Sequence, residues 1–304
     1  NTLRNWLKKG RKYLDRMVLE LKRIALEKDA VVNCDETWCK VRKYDRYKKC
    51  YMWVLVNKAE RVVIFFYEDG SRGRDVLTNF LGDAELKALM SDGYNAYVFI
   101  GDELKTHRYK DTDHQVCLAH VRAKFVKAWM EGGDKRADVF LDNINRLFRF
   151  EREYDREMIT DGERTRRRQG LPTMEVMINL RANLLQELKS EEEQKSCYMR
   201  EALNYLHKFW KEAFTYIKDG RYPISNNLAE RAVRPFTTKR KNSLHFGSDE
   251  GAEIAAVYHS IISTVKLQGR STWDYLGKFF TGIFNGCRDF LSLAPQNIDL
   301  AVCQ

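Results

Sequence analysis

The chain has 304 residues, 44% of them hydrophobic, with a net charge of +10 and a pI near 9.1. This composition excludes a wholly disordered chain and suffices for one large domain or two smaller ones. No apolar run approaches the roughly 18–20 residues of a membrane span and no signal peptide is visible. The seven cysteines form no CxxC pair or disulfide framework, so a reducing, cytosolic setting fits, and the basic excess favours an anionic partner, nucleic acid first. The chain starts at Asn1 rather than Met, which reads as a piece of a longer protein.

Apolar residues Leu3, Trp6, Leu7, Leu14, Met17, Leu21 and Ile24 recur at helical spacing and predict a helix over 3–27. The period then changes. Residues 30–41, 50–57 and 61–68 are short runs rich in β-branched and aromatic side chains, separated by charged breaks such as "RKYDRYKK". They predict three strands in an antiparallel meander. A short helix follows Gly73. In 86–97 an apolar strand runs into Ser-Asp-Gly, which is turn chemistry. "HQVCLAH" (114–120) predicts another strand and 121–130 another helix.

From 131 to 220 the pattern is helical: 137–158, 174–190 and 196–218 are separated in part by a charged Gly/Pro-containing loop, "DGERTRRRQGLP". The "TRRR" run at 165–168 reads as a solvated loop rather than a DNA contact. Helix returns after Ser225, with Pro235 expected to end or kink it. A basic loop (237–249) and helices near 250–267 and 272–286 complete the chain. There is no internal repeat.

A β-β-β-α-β-α-β-α order is that of the ribonuclease H-like fold. It implies an α/β chain with a mixed five-stranded sheet, flanking helices and an all-α insertion before the last core helix. The expected divisions are a helical lead-in (1–28), a catalytic core (29–130 and 221–268), a helical insertion (131–220) and a C-terminal helical segment (269–304).

Three carboxylates fall on telling elements. Asp35 lies within the first strand, where alternation puts it on one face with Thr37 and Cys39, opposite Cys34, Glu36 and Trp38. Asp92 lies at the end of the fourth strand. Glu230 shares a helix face with Asn227, Arg231 and Arg234, while Leu228, Ala229, Ala232 and Val233 form the apolar face. Each has a plain structural reading: a strand-edge Asp, a turn Asp, and an ion pair of Glu230 with Arg234. Brought together they would need a cation, and hard oxygen donors select Mg²⁺ or Mn²⁺. Two such ions suit phosphodiester chemistry. Arg231, Arg234, Lys239, Arg240 and Lys241, with no acid among them, suit a phosphate backbone, and Asn227 suits steadying Glu230 or touching DNA. Cys117 and His120 have the spacing of half a zinc site without its second half, or stand as structural residues at a strand end.

The motifs "CDET" (34–37), "SDGYNAY" (91–97), "CLAHVRAKF" (117–125) and the long stretch 219–262 carry a resemblance. The chain resembles transposases of the insertion sequence 66 family, a bacterial group of DDE transposases, from Leu3 to about Leu276. The resemblance implies a ribonuclease H-like core and Asp35, Asp92 and Glu230 as the acidic triad. It implies double-stranded DNA as partner (transposon ends and target), a homodimer on DNA, small accessory transposition proteins and a cytoplasmic, nucleoid-associated location. It places His120 and Cys117 near the active site as support. Two features depart from the family pattern: the upstream coiled-coil and Cys-rich region is not present, and Ser243 stands where many members have Trp. A ribonuclease H-like nuclease without strand transfer, or a non-catalytic transposon-derived DNA-binding protein, are the alternatives.

Overall fold

The computed structural model describes residues 2–190 and 195–299, apart from the side chain of Lys239. Among these residues the chain forms five strands and eleven α-helices. The element order is α1 (Thr2–Ala25), β1 (Val31–Arg42), β2 (Tyr47–Asn57), β3 (Val62–Glu68), α2 (Arg74–Leu81), β4 (Ala88–Ser91), β5 (Asp113–Val116) and α3 (Leu118–Met130). There follow α4 (Ala137–Glu157), α5 (Asp161–Arg168), α6 (Leu171–Lys189), α7 (Cys197–Lys208), α8 (Trp210–Phe214), α9 (Asn227–Ser243), α10 (Asp249–Leu267) and α11 (Thr272–Phe284).

The sheet order is β3-β2-β1-β4-β5. β1, β2 and β3 pair antiparallel, with Asp35 opposite Val54 and Thr37 opposite Met52. β4 breaks the meander. The Lys87 and Ala88 amides donate to the Ala30 carbonyl at 2.9 and 3.4 Å, so the amino ends of β1 and β4 lie together and the two strands run the same way. The result is a mixed α/β sheet compatible with the ribonuclease H-like fold.

The chain divides into two compact units. The first comprises residues 1–89, 95–112 and 228–304. Its core sets Met52, Val54, Val56 and Phe65 of the sheet against Ala229, Val233 and Phe236 of α9 and Ala256 of α10. α1 joins it through Leu14, Met17, Leu21 and Ile24. Gly10 permits a close approach here: a Cβ at that position would sit 2.6 Å from the Tyr258 hydroxyl, which donates to the Leu7 carbonyl at 3.1 Å.

The second unit comprises residues 90–94 and 113–227. Phe125 and Phe140 stack at 4.5 Å between α3 and α4, and Val176, Leu180, Met199 and Leu203 of α6 and α7 are buried as well. Its polar centre is Arg168, only 1% exposed. The guanidinium bonds both Glu151 oxygens at 2.8 and 2.7 Å and the carbonyls of Tyr216, Asp219 and Tyr222. A buried guanidinium is tolerated because nearly all its donors are used.

Several elements differ from the sequence expectation. The charged loop at 161–172 is mostly helix. Thr160 caps α5 by accepting the Glu163 amide, and Glu163 pairs with Arg166 and Arg167. Arg168 is therefore not part of a solvated run. The strand expected over 114–120 stops at Val116, because Cys117 starts α3, whereas β4 ends at Ser91 before the turn at Gly93 (φ +78°), as expected. The helix expected over 196–218 breaks at Phe209, whose φ of −108° and ψ of 23° leave the helical region. α9 runs through Pro235 to Ser243, so the basic segment from 237 is helix rather than loop. Pro235 is exposed and leaves only the Arg231 carbonyl without its helical donor, a cost the flanking Val233 and Phe236 packing offsets.

Candidate active site

β1 carries two kinds of side chain on its two faces. Residues directly opposite in an antiparallel pair point the same way, so Asp35, Thr37 and Cys39 share the face of Val54, Met52 and Cys50. That face is covered by Ala229, Val233 and Phe236 of α9. Asp35 is half-buried, and its Oδ1 accepts the Glu36 amide at 2.9 Å.

α9 presents its apolar residues to that face, with Leu228 and Ala232 packed at the margin. Glu230 follows Ala229 directly and is half-buried, whereas Asn227, Arg231, Arg234 and Lys241 are exposed. The side chain of Lys239 lies outside the described residues. Arg240 is held rather than free. Its Nη1 donates to Thr37 Oγ1 at 3.1 Å and to the Trp38 carbonyl at 3.0 Å, and its guanidinium lies 4.0 Å from the Trp38 ring. The sheet face that carries Asp35 and the helix that bears Glu230 thus pack on each other within the first unit. Ser243 is the exposed last residue of that helix.

On the other face of β1 stands a second acidic residue of the same motif. Glu36 is buried and accepts hydrogen bonds from the Tyr97 hydroxyl and from Arg72 Nε at 2.6 Å, with Arg72 Nη2 completing the ion pair. Burial pushes the Tyr97 hydroxyl far above its ordinary range, with the Glu36 charge adding to it. The cluster fixes the backbone beside Asp35. Glu36 lies one position after Asp35, on the strand face that also carries buried Cys34.

Asp92, Cys117 and His120 belong to the second unit. Asp92 Oδ1 accepts the Tyr94 amide at 2.9 Å, and its carbonyl accepts the Tyr205 hydroxyl at 2.5 Å. Gly93 lies under Tyr205, where an added Cβ would come within 2.7 Å of the hydroxyl. The preceding Ser91 hydroxyl bonds His114 Nε2 at 3.0 Å, and burial pushes that imidazole down to about 4. His114 and Tyr205 were not singled out from sequence, and neither spacing nor pattern marks them.

Cys117 ties three segments together. Its amide donates to the Ser91 carbonyl at 2.9 Å, and its Sγ accepts the Asn226 amide at 3.1 Å. The sulfur thereby secures the chain just before α9. His120 is half-buried in the first turn of α3.

One further group of ligand-type atoms lies in the first unit. Cys50, Asp69 and Asp249 bring their atoms within 4.8 Å of one another. The Lys43 ammonium already bridges the two carboxylates, at 2.9 Å from Asp69 and 2.5 Å from Asp249. Its pairing with Lys43 holds Asp69 down to about 2. With Lys48 also 3.3 Å from Asp69, two cations face two carboxylates in a clasp between the β1–β2 hairpin and the start of α10.

A protein-family model described as "Transposase IS66 family" matches residues 1–254. The chain is 28% identical over 255 residues to uncharacterized protein y4jD of Sinorhizobium fredii (strain NBRC 101917 / NGR234), covering 79% of this chain and 47% of that protein. It is 27% identical over 239 residues to uncharacterized protein y4qI of the same strain, covering 78% of this chain and 43% of that protein. The chain spans under half the length of these curated relatives.

Proposed function

We infer, from the premise that this chain belongs to the transposase IS66 family, that it carries the catalytic part of a DNA transposase. Family membership supports a DNA-acting enzyme, and no helix among the described residues is long and apolar enough to cross a membrane. The reading keeps residues 29–130 and 221–268 as the catalytic core, with 131–220 as its helical insertion.

Asp35, Asp92 and Glu230 are the proposed acidic triad. The observation that carries this is the packing of Ala229 and Val233, which flank Glu230 on α9, on the sheet face to which Asp35 belongs. Asp92 supports it from its own unit. One carboxylate oxygen accepts the Tyr94 amide, and the residue has no Lys or Arg partner among the described residues. Such hard, half-exposed oxygen donors fit Mg²⁺ or Mn²⁺. Two ions held by the three carboxylates would polarise the phosphate and favour deprotonation of the attacking oxygen.

The chemistry has two stages. Water attacks a phosphodiester at the transposon end and the 3′-oxygen leaves as a 3′-OH. That hydroxyl then attacks a target phosphodiester, one P–O bond forming as another breaks, with no covalent protein intermediate. Asn227, Arg231, Arg234 and Lys241 are exposed along α9 and suit the DNA backbone, with Lys239 and Arg240 continuing the basic run. Cys117 and His120 serve as supports of the Asp92 end. DNA ends and target, a homodimer on DNA and accessory transposition proteins complete the proposal, in a cytoplasmic, nucleoid-associated setting. Glu230→Gln tests it in nicking and strand-transfer assays on end-containing DNA. The reading predicts a loss of at least ~100-fold in both steps, and wild-type rates would sink it. Nicking without joining would favour a nuclease instead.

A further inference from the structure

The β1–β2 hairpin extends past the part of the sheet that α9 covers, and its two faces differ sharply. The inner face is buried: Cys39, Val41 and Cys50 pack on Ala252 of α10. Cross-strand register sets the outer face as three pairs, Trp38 opposite Tyr51, Lys40 opposite Lys49, and Arg42 opposite Tyr47. Aromatic rings and cations therefore alternate along it. Trp38 is 36% exposed and Tyr47 54%, and Tyr44 at the turn is fully exposed.

The charge on this face is not internally balanced. Among the described residues Lys40, Arg42 and Lys49 have no carboxylate partner, whereas Lys43 and Lys48 on the inner side pair with Asp69. Lys40 directly opposite Lys49 is a like-charge cross-strand pair, which destabilises a sheet unless an anion sits over it. The rings are also pre-set. His245 packs edge-on against Tyr47 at 4.6 Å, and Arg240 stacks on Trp38. The Arg42 amide and the Phe246 carbonyl bond at 2.8 Å, fastening the hairpin edge to the segment after α9. Same-face residues recur about every 6.7 Å along a strand, a repeat on the scale of successive phosphates in an extended nucleic acid.

We propose that the outer face of this hairpin binds single-stranded DNA, with Tyr44, Tyr47 and Trp38 stacking on unpaired bases and Lys40, Arg42 and Lys49 contacting phosphates. The choice of DNA as the polyanion rests on the transposase reading. Rings spaced between cations are what a single strand uses and a duplex, with its bases stacked inside, cannot.

Fluorescence anisotropy with a labelled single strand and with its duplex tests this on the whole chain, using Tyr44→Ala/Tyr47→Ala and Lys40→Gln/Arg42→Gln/Lys49→Gln. All five positions are exposed, and circular dichroism melts of both variants check that the fold is kept. The aromatic variant should lose about tenfold or more in single-strand affinity and less than about twofold for duplex. The charge variant should flatten the logarithmic salt dependence of single-strand binding by about 2. Unchanged single-strand affinity in either variant, or equal losses for single strand and duplex in the aromatic variant, would overturn the assignment. So would charge-dependent binding to phosphatidylserine vesicles with single-strand affinity unaltered. A chain that grips single strands through the hairpin but neither nicks nor joins DNA sinks the catalytic reading and leaves the hairpin standing. Catalysis with hairpin-independent affinity does the reverse.

Discussion

The hydroxyl of Tyr205 donates to the main-chain carbonyl of Asp92 at 2.5 Å. A residue of α7, deep in the helical part of the second unit, thus holds the turn that carries a candidate catalytic carboxylate. Tyr205→Phe removes that bond and nothing else. Stability should fall by about 1 kcal/mol, read by denaturant melts. Strand-transfer rates should fall while DNA affinity stays put. Unaltered rates would show that the helical segment does not position Asp92.

Arg72 is the main charge partner of buried Glu36. Arg72→Gln should cost about 2–3 kcal/mol, less than a fully orphaned buried charge because the Tyr97 hydroxyl still donates. The double variant Glu36→Gln/Arg72→Gln should recover part of that loss, since no charge is left buried. Thermal denaturation of Arg72→Gln, Glu36→Gln and the double variant distinguishes this from a merely additive effect.

His114 gives the fold a pH dependence of known sign. Its folded value of about 4 lies below the ordinary 6.5, because burial disfavours the charged ring. The unfolded chain therefore takes up the proton first as pH falls. Stability from this group is present above about 6.5 and is lost progressively down to about 4, by about 3 kcal/mol in all. Urea unfolding across that range should show the slope in the wild-type chain. His114→Gln should flatten it.

How far the sequence foretold these features depended on how local the cause was. Alternation in 30–41 and 50–57 marked β1 and β2 and put Asp35 on the face with Thr37, because strand geometry needs only neighbours. Helical spacing marked Leu14, Met17 and Leu21 for the same reason. The stretch at 161–168 was read as loop because it has no apolar face. Its helix is held by Glu163 with Arg166 and Arg167, and by Arg168 reaching Glu151 far back in the chain. Pro235 is expected to end or kink α9, and the helix continues through it with Val233 and Phe236 packed on the sheet. The Tyr205–Asp92 bond spans 113 positions, and no local pattern encodes such a partner.

The central claim is that Asp35, Asp92 and Glu230 act as one metal-binding group. Calorimetric titration of the DNA-bound chain with Mn²⁺ tests it most directly, comparing wild type with Asp35→Asn, Asp92→Asn and Glu230→Gln. The account predicts two bound ions in the wild type, with binding weakened by each substitution. Binding that none of the three substitutions alters would contradict it.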